Sequence, residues 1–468
     1  MSELDDMLRA AGAPTTTGNA DAPTTAATPN AEESKASRKK EPQGAGTDTP
    51  SKRPSPDKYL IALYVALCIV SVIELYSASS REVTSGNIFG PLLRHIMMLV
   101  LGIVICIGVS RVKLKYFVIL TPWFVGLSIL LMVYVMLNGQ IINGARRSMS
   151  LLGIPIQPAE MLKMSAVLVI AYIMSRNQEP RGVTTKGVIW CCVFVSLFSL
   201  LLFSQGLTNT LLLMGISLSM MLIGGIQIKK FGLVLLFYGL VGGAALYQKM
   251  NTEAEDVESI METGMDAQGN RTTMDRGGLW KKRLERWNND TIPLYKQKIT
   301  ALNRQEMYAF MAQANGGVTG VLPGNSRETA RLPLAFSDYI FSIVVEDLGL
   351  IGGLFLLFIY LSLLGRAGII MGRCDRAFPS ILVMGLAVMI VIQALFHMAI
   401  NTGVFPVSGQ PLPMISKGGT SMLITSLAFG VMISISRYAS MTGRKKAAKS
   451  DSDLPDEINA VNPMQLKK

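Results

Sequence analysis

Residues 331–366 read RLPLAFSDYIFSIVVEDLGLIGGLFLLFIYLSLLGR. From Ile340 onward almost every side chain is apolar, over more than the ~20 residues a helix needs to cross a bilayer. Yet Asp338 stands at the head of the stretch, and Glu346 and Asp347 lie inside it. A carboxylate at the bilayer centre costs about 2.5–3.5 kcal/mol on insertion scales, so such residues face a partner or a site rather than lipid. The stretch therefore predicts a membrane-spanning helix whose first turns carry polar work.

The rest of the chain is in keeping with that reading. Of 468 residues, 50% are hydrophobic and only 16% charged, which points to a polytopic membrane protein rather than a soluble enzyme. The five cysteines (Cys68, Cys106, Cys191, Cys192, Cys374) lie in or beside apolar runs without metal-type spacing, and read as small core- or lipid-facing side chains. Residues 1–57 are rich in Thr, Ala, Pro, Ser and charge, with too few large apolar side chains to offset the entropy of ordering, and are expected to be a disordered cytoplasmic tail. No short basic start followed by an apolar run marks a signal peptide.

Ten apolar segments follow, at about 59–79, 91–110, 115–137, 160–177, 186–204, 207–227, 231–248, 337–365, 379–400 and 418–437. The expected architecture is an all-α membrane domain of ten transmembrane helices over 58–441, with a second cytoplasmic tail at 442–468. Short loops on one side hold Arg111, Lys113, Lys115, Arg176, Arg181, Lys186, Lys229, Lys230, Arg366, Arg373 and Arg376; those on the other hold Arg81, Arg94, Arg146, Arg147 and Lys417. Eleven basic residues against five put both termini in the cytoplasm. The net charge of +12 is thus a topology signal and not a nucleic-acid footprint.

This topology puts one long loop, about 249–336, outside between the seventh and eighth helices. Its first part is polar. Its second part, LWKKRLERWNNDTIPLYKQKITALNRQEMYAFMAQANGGVTGVLPGNS, has amphipathic spacing and is expected to lie on the membrane surface. Asp338 then sits at the outer mouth of the eighth helix, with Glu346 about 12 Å deeper along the axis.

Two further outward segments converge on that mouth. NGARRSMSLLGIPIQPAEMLKMS carries Arg146, Arg147 and Gln157, then Glu160 and Lys163 on one helix face, with prolines barring a helix before the fourth span. NTGVFPVSGQPLPMISKGGTS carries Ser416, Lys417, Gly418 and Gly419 in irregular backbone, which at this depth must be buried in protein or line a wet cavity. Cations beside a carboxylate suit an anionic, phosphate-bearing substrate. The bland readings are a first-turn acid at Asp338, lipid-headgroup anchors at Arg146 and Arg147, an intramembrane ion pair at Glu160 and Lys163, structural pairing of Glu346 and Asp347 with a basic residue elsewhere, and a satisfied core histidine at His397.

These three segments, in this order and spacing, resemble the signature segments of the SEDS family, whose members include FtsW, RodA and SpoVE. The resemblance covers about Lys58 to Arg437, and the form VSGQPLPMISKGGTS, with Lys417 where many members have tyrosine, is most similar to the FtsW branch of Bacteroidetes type. It implies a peptidoglycan glycosyltransferase of the inner membrane and division septum that polymerises lipid II, with a class B penicillin-binding protein and other division proteins as partners and no nucleic acid. Carried over, the family's aspartate is Asp338, the base that activates the acceptor hydroxyl. Substrate contacts fall to Arg146, Arg147, Lys163, Glu160, Gln157, Lys417 and Ser416, while Glu346, Asp347, Gly418 and Gly419 line or shape the cavity. The resemblance implies no definite cofactor and no metal-ligand set, with a divalent cation, Mg or Mn, as an addition that could assist the departing pyrophosphate. The chain departs from the family at Ser148, where an aromatic is common, and at Leu207, where an acid often stands. A lateral-wall polymerase of RodA type, a lipid II flippase and a division scaffold are the alternatives.

Overall fold

The computed structural model describes residues 55–452 apart from 79–88, 143–144, 152–153, 181, 204, 251–295, 300–302, 330, 333–336 and 418. Residues 1–54 of the tail expected at 1–57, the polar first part of the long loop, Gly418 and the residues after 452 lie outside the described residues. Eleven helices are described: α1 (Lys58–Ala78), α2 (Phe89–Ser110), α3 (Leu114–Asn138), α4 (Pro158–Arg176), α5 (Thr185–Phe203), α6 (Leu207–Ile223), α7 (Ile228–Met250), α8 (Arg304–Gly316), α9 (Ile340–Gly372), α10 (Ala377–Asn401) and α11 (Gly419–Ser452). Eight of them (α1–α5 and α9–α11) are long and apolar enough to cross a membrane. α6 is apolar but shorter, and α7 occupies the remaining expected span, so each of the ten expected segments contains a helix, of which eight meet the length and hydropathy needed among the described residues.

The segments between spans carry structure that hydropathy does not convey. The residues after α3, where prolines bar a helix, form a three-stranded antiparallel sheet, β1 (Gln140–Ile142), β2 (Ala145–Leu151) and β3 (Ile154–Ile156). β-branched Ile141, Ile142, Ile154 and Ile156 favour extended backbone, and Pro155 sits in the edge strand β3, where a missing N–H is tolerated. A two-stranded turn, β4 (Gln178–Glu179) with β5 (Gly182–Val183), joins α4 to α5. The amphipathic part of the long loop contributes one described helix, α8, which is docked against α9 and α10 with Met307, Ala309 and Ala312 buried. Its apolar stripe finds protein to cover it.

α4, α10 and α11 form the enclosed centre of the bundle, and α2 and α3 leave most of their side chains on the outside. α10 packs on α4, α6 and α9, and α2 packs along α11. Asp57 belongs to this unit rather than to the tail. It caps α1 by accepting from the N–H groups of Tyr59 (3.0 Å) and Leu60 (3.2 Å), and it pairs with Arg366 of α9 at 2.5 Å.

Candidate active site

Asp338 stands in the turn 337–339 that leads into α9, and its side chain is half-buried. Ser337 Oγ donates to Asp338 Oδ1 at 2.8 Å. The backbone of Gly409 passes directly over the carboxylate, since a Cβ there would lie 2.8 Å from Oδ2. A side chain at 409 would displace the carboxylate, so glycine is what lets the backbone pass this close. The turn is pinned from behind: Ser416 Oγ donates to the carbonyl of Ser337 (2.7 Å) and accepts from the N–H of Leu412 (2.7 Å), tying the last inter-helix loop to the base of Asp338.

A second layer of polar side chains holds the same turn from α10. Asn401, the last residue of α10, donates its amide to the carbonyl of Asp338 (3.2 Å) and accepts from both the N–H (3.2 Å) and the hydroxyl (3.0 Å) of Ser342 on α9. Gln313 of α8 donates to the carbonyl of Asn401 (2.6 Å) and to Ser342 (3.0 Å). His397 lies one turn below Asn401. A carbonyl can only accept, so His397 Nδ1 carries the proton donated to Gln410 O (2.6 Å), and Nε2 is left to accept from Asn401 (3.3 Å). Gln410 continues the chain to Asn209 in the first turn of α6 (3.1 Å). Four helices and a loop thus fix one turn of backbone through buried amides, whose hydrogen bonds a low-dielectric surrounding strengthens.

The part of α9 that follows Asp338 is short. At Gly349 the backbone leaves the helix (φ 71°, ψ −175°), dividing α9 into 340–348 and 350–372. The chain after α8 fills the break. Val321 N and Leu322 N donate to the carbonyls of Glu346 (3.0 Å) and Asp347 (2.9 Å), while Leu350 N and Ile351 N donate to Gly317 O (3.0 Å) and Val318 O (3.3 Å). The two backbones touch at Gly320 and Gly349, where a Cβ on either would strike the other strand. Broken helices at membrane depth survive only where their freed groups are satisfied in this way. Glu346, fully buried, completes the clasp: it accepts from the N–H groups of Arg327 (3.0 Å) and Glu328 (3.4 Å), from Asn315, and from Ser326 Oγ through a short contact. Its partners are loop N–H groups and neutral side chains, not the basic residue expected from sequence. Among the described residues Glu74 of α1 has no hydrogen-bond partner for either carboxylate oxygen, and Asp347, also fully buried, has only the Ser77 hydroxyl near it, outside good hydrogen-bond geometry.

The remaining expected residues divide in two. Glu160 and Lys163 form a 2.7 Å ion pair, with Gln393 of α10 donating to the second oxygen of Glu160 at 3.0 Å. Lys163 is 0% and Glu160 3% exposed, so the pair is enclosed and offers no surface to a substrate. Gln157 precedes α4 and its N–H donates to Thr420 Oγ1 (2.9 Å) in the first turn of α11, which Gly419 opens. Ser416 and Lys417 lie on the loop beside Asp338, with Lys417 half-buried. Arg146 and Arg147 stand on β2, with Arg146 opposite Ile141 of β1; β2 packs on α3 and α4, and β3 on α11. Among the described residues no group of three or more His, Cys, Asp or Glu side chains could hold a metal ion.

Sequence reasoning missed Asn401, Gln410, Asn209, Gln313, Ser337 and Ser342. The available signal was weak but real: each is a polar residue in or beside an apolar helix end, and such groups in a membrane domain must find partners.

Fold and site together define a polytopic membrane protein that presents a rigidly backed, half-exposed aspartate beside irregular backbone at one end of its helix bundle. Residues 57–441 match the model of the FtsW, RodA and SpoVE family, described as "Cell cycle protein", and the chain belongs to that family. It is 30% identical over 395 residues to "Probable peptidoglycan glycosyltransferase FtsW" of Nitrosococcus halophilus, covering 82% of this chain and 92% of that one. It is 24% identical over 407 residues to "Peptidoglycan glycosyltransferase MrdB" of Escherichia coli K12, covering 85% of this chain and 99% of the relative. Among solved structures it shares the fold of a chain from "Structural coordination of polymerization and crosslinking by a peptidoglycan synthase complex" (TM-score 0.62, 19% identity, 82% of this chain and 98% of the other). It also resembles the rod shape determining protein RodA of Thermus thermophilus (TM-score 0.54, 19% identity, 82% and 97% covered).

Proposed function

We propose that this chain is a peptidoglycan glycosyltransferase that polymerises lipid II into glycan strands at the outer face of the cytoplasmic membrane during septal wall synthesis. The family match over residues 57–441 and the FtsW relative at 30% identity support the activity. The observation that carries the mechanism is Asp338: a half-exposed carboxylate that accepts from Ser337, with the Gly409 backbone against it and its turn fixed by Ser416 and Asn401 through the carbonyls of Ser337 and Asp338. In this reading Asp338 takes the proton from the 4-hydroxyl of the acceptor sugar. The freed oxygen attacks the anomeric carbon of the donor, the bond to the undecaprenyl pyrophosphate breaks, and the configuration inverts. A general base of this kind contributes on the order of 10²–10⁴-fold, provided it is within hydrogen-bond reach of the hydroxyl. A fixed turn serves that need, because small misplacements of a catalytic group are costly.

Arg146, Arg147 and Lys417 are assigned to the pyrophosphate, where guanidinium forks and an ammonium offset the developing charge. Both termini are placed in the cytoplasm by the distribution of basic loop residues. The proposed partner is a class B penicillin-binding protein, in company with other division proteins, and the structural neighbour from a polymerization and crosslinking complex supports it. The MrdB relative keeps a lateral-wall role as the second reading.

The test is glycan formation from purified lipid II by the purified chain, alone and with its partner. Polymer is expected, and its absence under both conditions overturns the assignment. Replacing Arg146 or Arg147 with Gln should lower lipid II use more than replacement with Lys; equal rates for both variants would make these residues membrane anchors. Complementation of strains depleted of division or of elongation polymerase separates the septal from the lateral-wall role.

A further inference from the structure

A groove of about 570 Å³ runs between α1, α2 and α11, away from Asp338 and toward the opposite end of the bundle. Its cause lies in the packing: α1 leans mainly on α9 and α2 on α11, so the facing sides of α1 and α2 do not close on each other. α1 contributes Ile61, Val65, Cys68, Ile69, Val72 and Ile73, a stripe at helical spacing. From 61 to 73 that stripe is about 18 Å long, close to the depth of one leaflet of a hydrocarbon core about 30 Å thick. The α2 wall is equally apolar from Leu99 to Ile107.

Charge appears at one end only. Arg111, just after α2, and Arg437, in α11, stand where the groove meets the end of the bundle opposite the active site. Arg437 donates from Nη1 to the carbonyl of Ser110 (3.1 Å), which fixes the guanidinium, while its Nε is buried and has no hydrogen-bond partner. Arg111 is exposed. No carboxylate lines the groove. An apolar channel one leaflet long with two guanidiniums at its mouth matches a lipid whose headgroup is an anionic phosphate.

We propose that this groove is a binding site for one anionic phospholipid, with an acyl chain along α1 and α2 and the phosphate between Arg111 and Arg437. The site is separate from that of the glycosyl transfer, since its charged end and Asp338 lie at opposite ends of the bundle. It does not depend on the reaction proposed above.

Native mass spectrometry of the detergent-solubilised full chain tests it, titrating phosphatidylglycerol and phosphatidylcholine of identical acyl chains. The wild-type chain should retain one phosphatidylglycerol at least about ten-fold more tightly than phosphatidylcholine, because only a net anionic headgroup keeps a charge for both guanidiniums. Arg111→Gln should remove most of that preference without disturbing the fold, since the side chain is exposed. Ile69→Trp, which fills the groove from its open side, should lower retention of both lipids. Arg437→Gln is the stronger but riskier variant because of its bond to Ser110. Equal retention of the two lipids by the wild type, or an unchanged preference in Arg111→Gln, overturns the proposal. Displacement of phosphatidylglycerol by substoichiometric undecaprenyl phosphate would also overturn it, assigning the groove to a polyprenyl chain instead.

Discussion

Glu346 and Asp347 are neighbours on one helix, and both are wholly buried, yet they live in opposite circumstances. Glu346 faces the segment that fills the break in α9 and accepts from two backbone N–H groups, a serine and an asparagine. Asp347 faces the side of α1, where Glu74 stands and the Ser77 hydroxyl is the one donor near it, outside good hydrogen-bond geometry; Glu74 has no hydrogen-bond partner among the described residues. The same contrast runs through the whole site end of the molecule. On the α10 side, Asn209, Gln410, His397, Asn401, Gln313 and Ser342 spend their donors and acceptors on one another and on the backbone beside Asp338. A buried charge with every lone pair matched is a structural element, whereas one without donors adds nothing to stability that a neutral side chain of its shape would not. The lesson is that burial of an acid in this membrane domain does not reveal its role; its donors do.

That contrast can be tested by substitution, beginning with the residue the matched side exists to hold. Asp338→Asn keeps the shape and the Ser337 contact but removes the base, and polymerisation of lipid II is expected to fall by about 10²-fold or more with membrane insertion unchanged. Near-normal polymer from the purified variant would mean that the network backs a turn without chemical duty.

Next in size is Glu346→Ala. It strands the N–H groups of Arg327 and Glu328, the second of them buried, at a cost of about 1–3 kcal/mol, seen as a lower melting temperature in detergent and faster proteolysis of the 317–329 segment. Unaltered stability would put Glu346 in the same class as Asp347. Gly349→Ala is expected to cost about 1–3 kcal/mol through its positive φ, with a further penalty from collision with Val318 O. It should also slow polymerisation, since the half-helix carrying Asp338 ends there. Thermal melts together with initial rates would show a break that matters only for packing if the rate holds while stability drops.

The smallest effect is expected on the unmatched side. Glu74→Gln should change stability by no more than about 1 kcal/mol, in either direction, because no donor is lost. A drop of several kcal/mol would reveal a partner for Glu74 that makes it the equal of Glu346.

Much of this molecule was legible before any coordinates. Apolar length alone located the helices from α1 to α11 that cross or line the bundle, because lipid forces every span to satisfy its own backbone and so writes long uninterrupted runs into the chain. Asp338 was visible as a carboxylate at the head of such a run, and Glu160 with Lys163 as an i, i+3 pair. What the sequence could not convey was which polar groups meet. Gln393 lies one turn from His397 in the chain, yet it serves Glu160, while His397 serves Gln410 and Asn401. The docking of α8 against α9 and α10, the insertion of 317–322 into the break at Gly349, and the opposite fates of two adjacent acids are long-range matters too. Hydropathy is a property of each segment and survives reading one residue at a time. Hydrogen bonds between segments depend on the rotation and depth of every helix at once, and only the assembled bundle sets those.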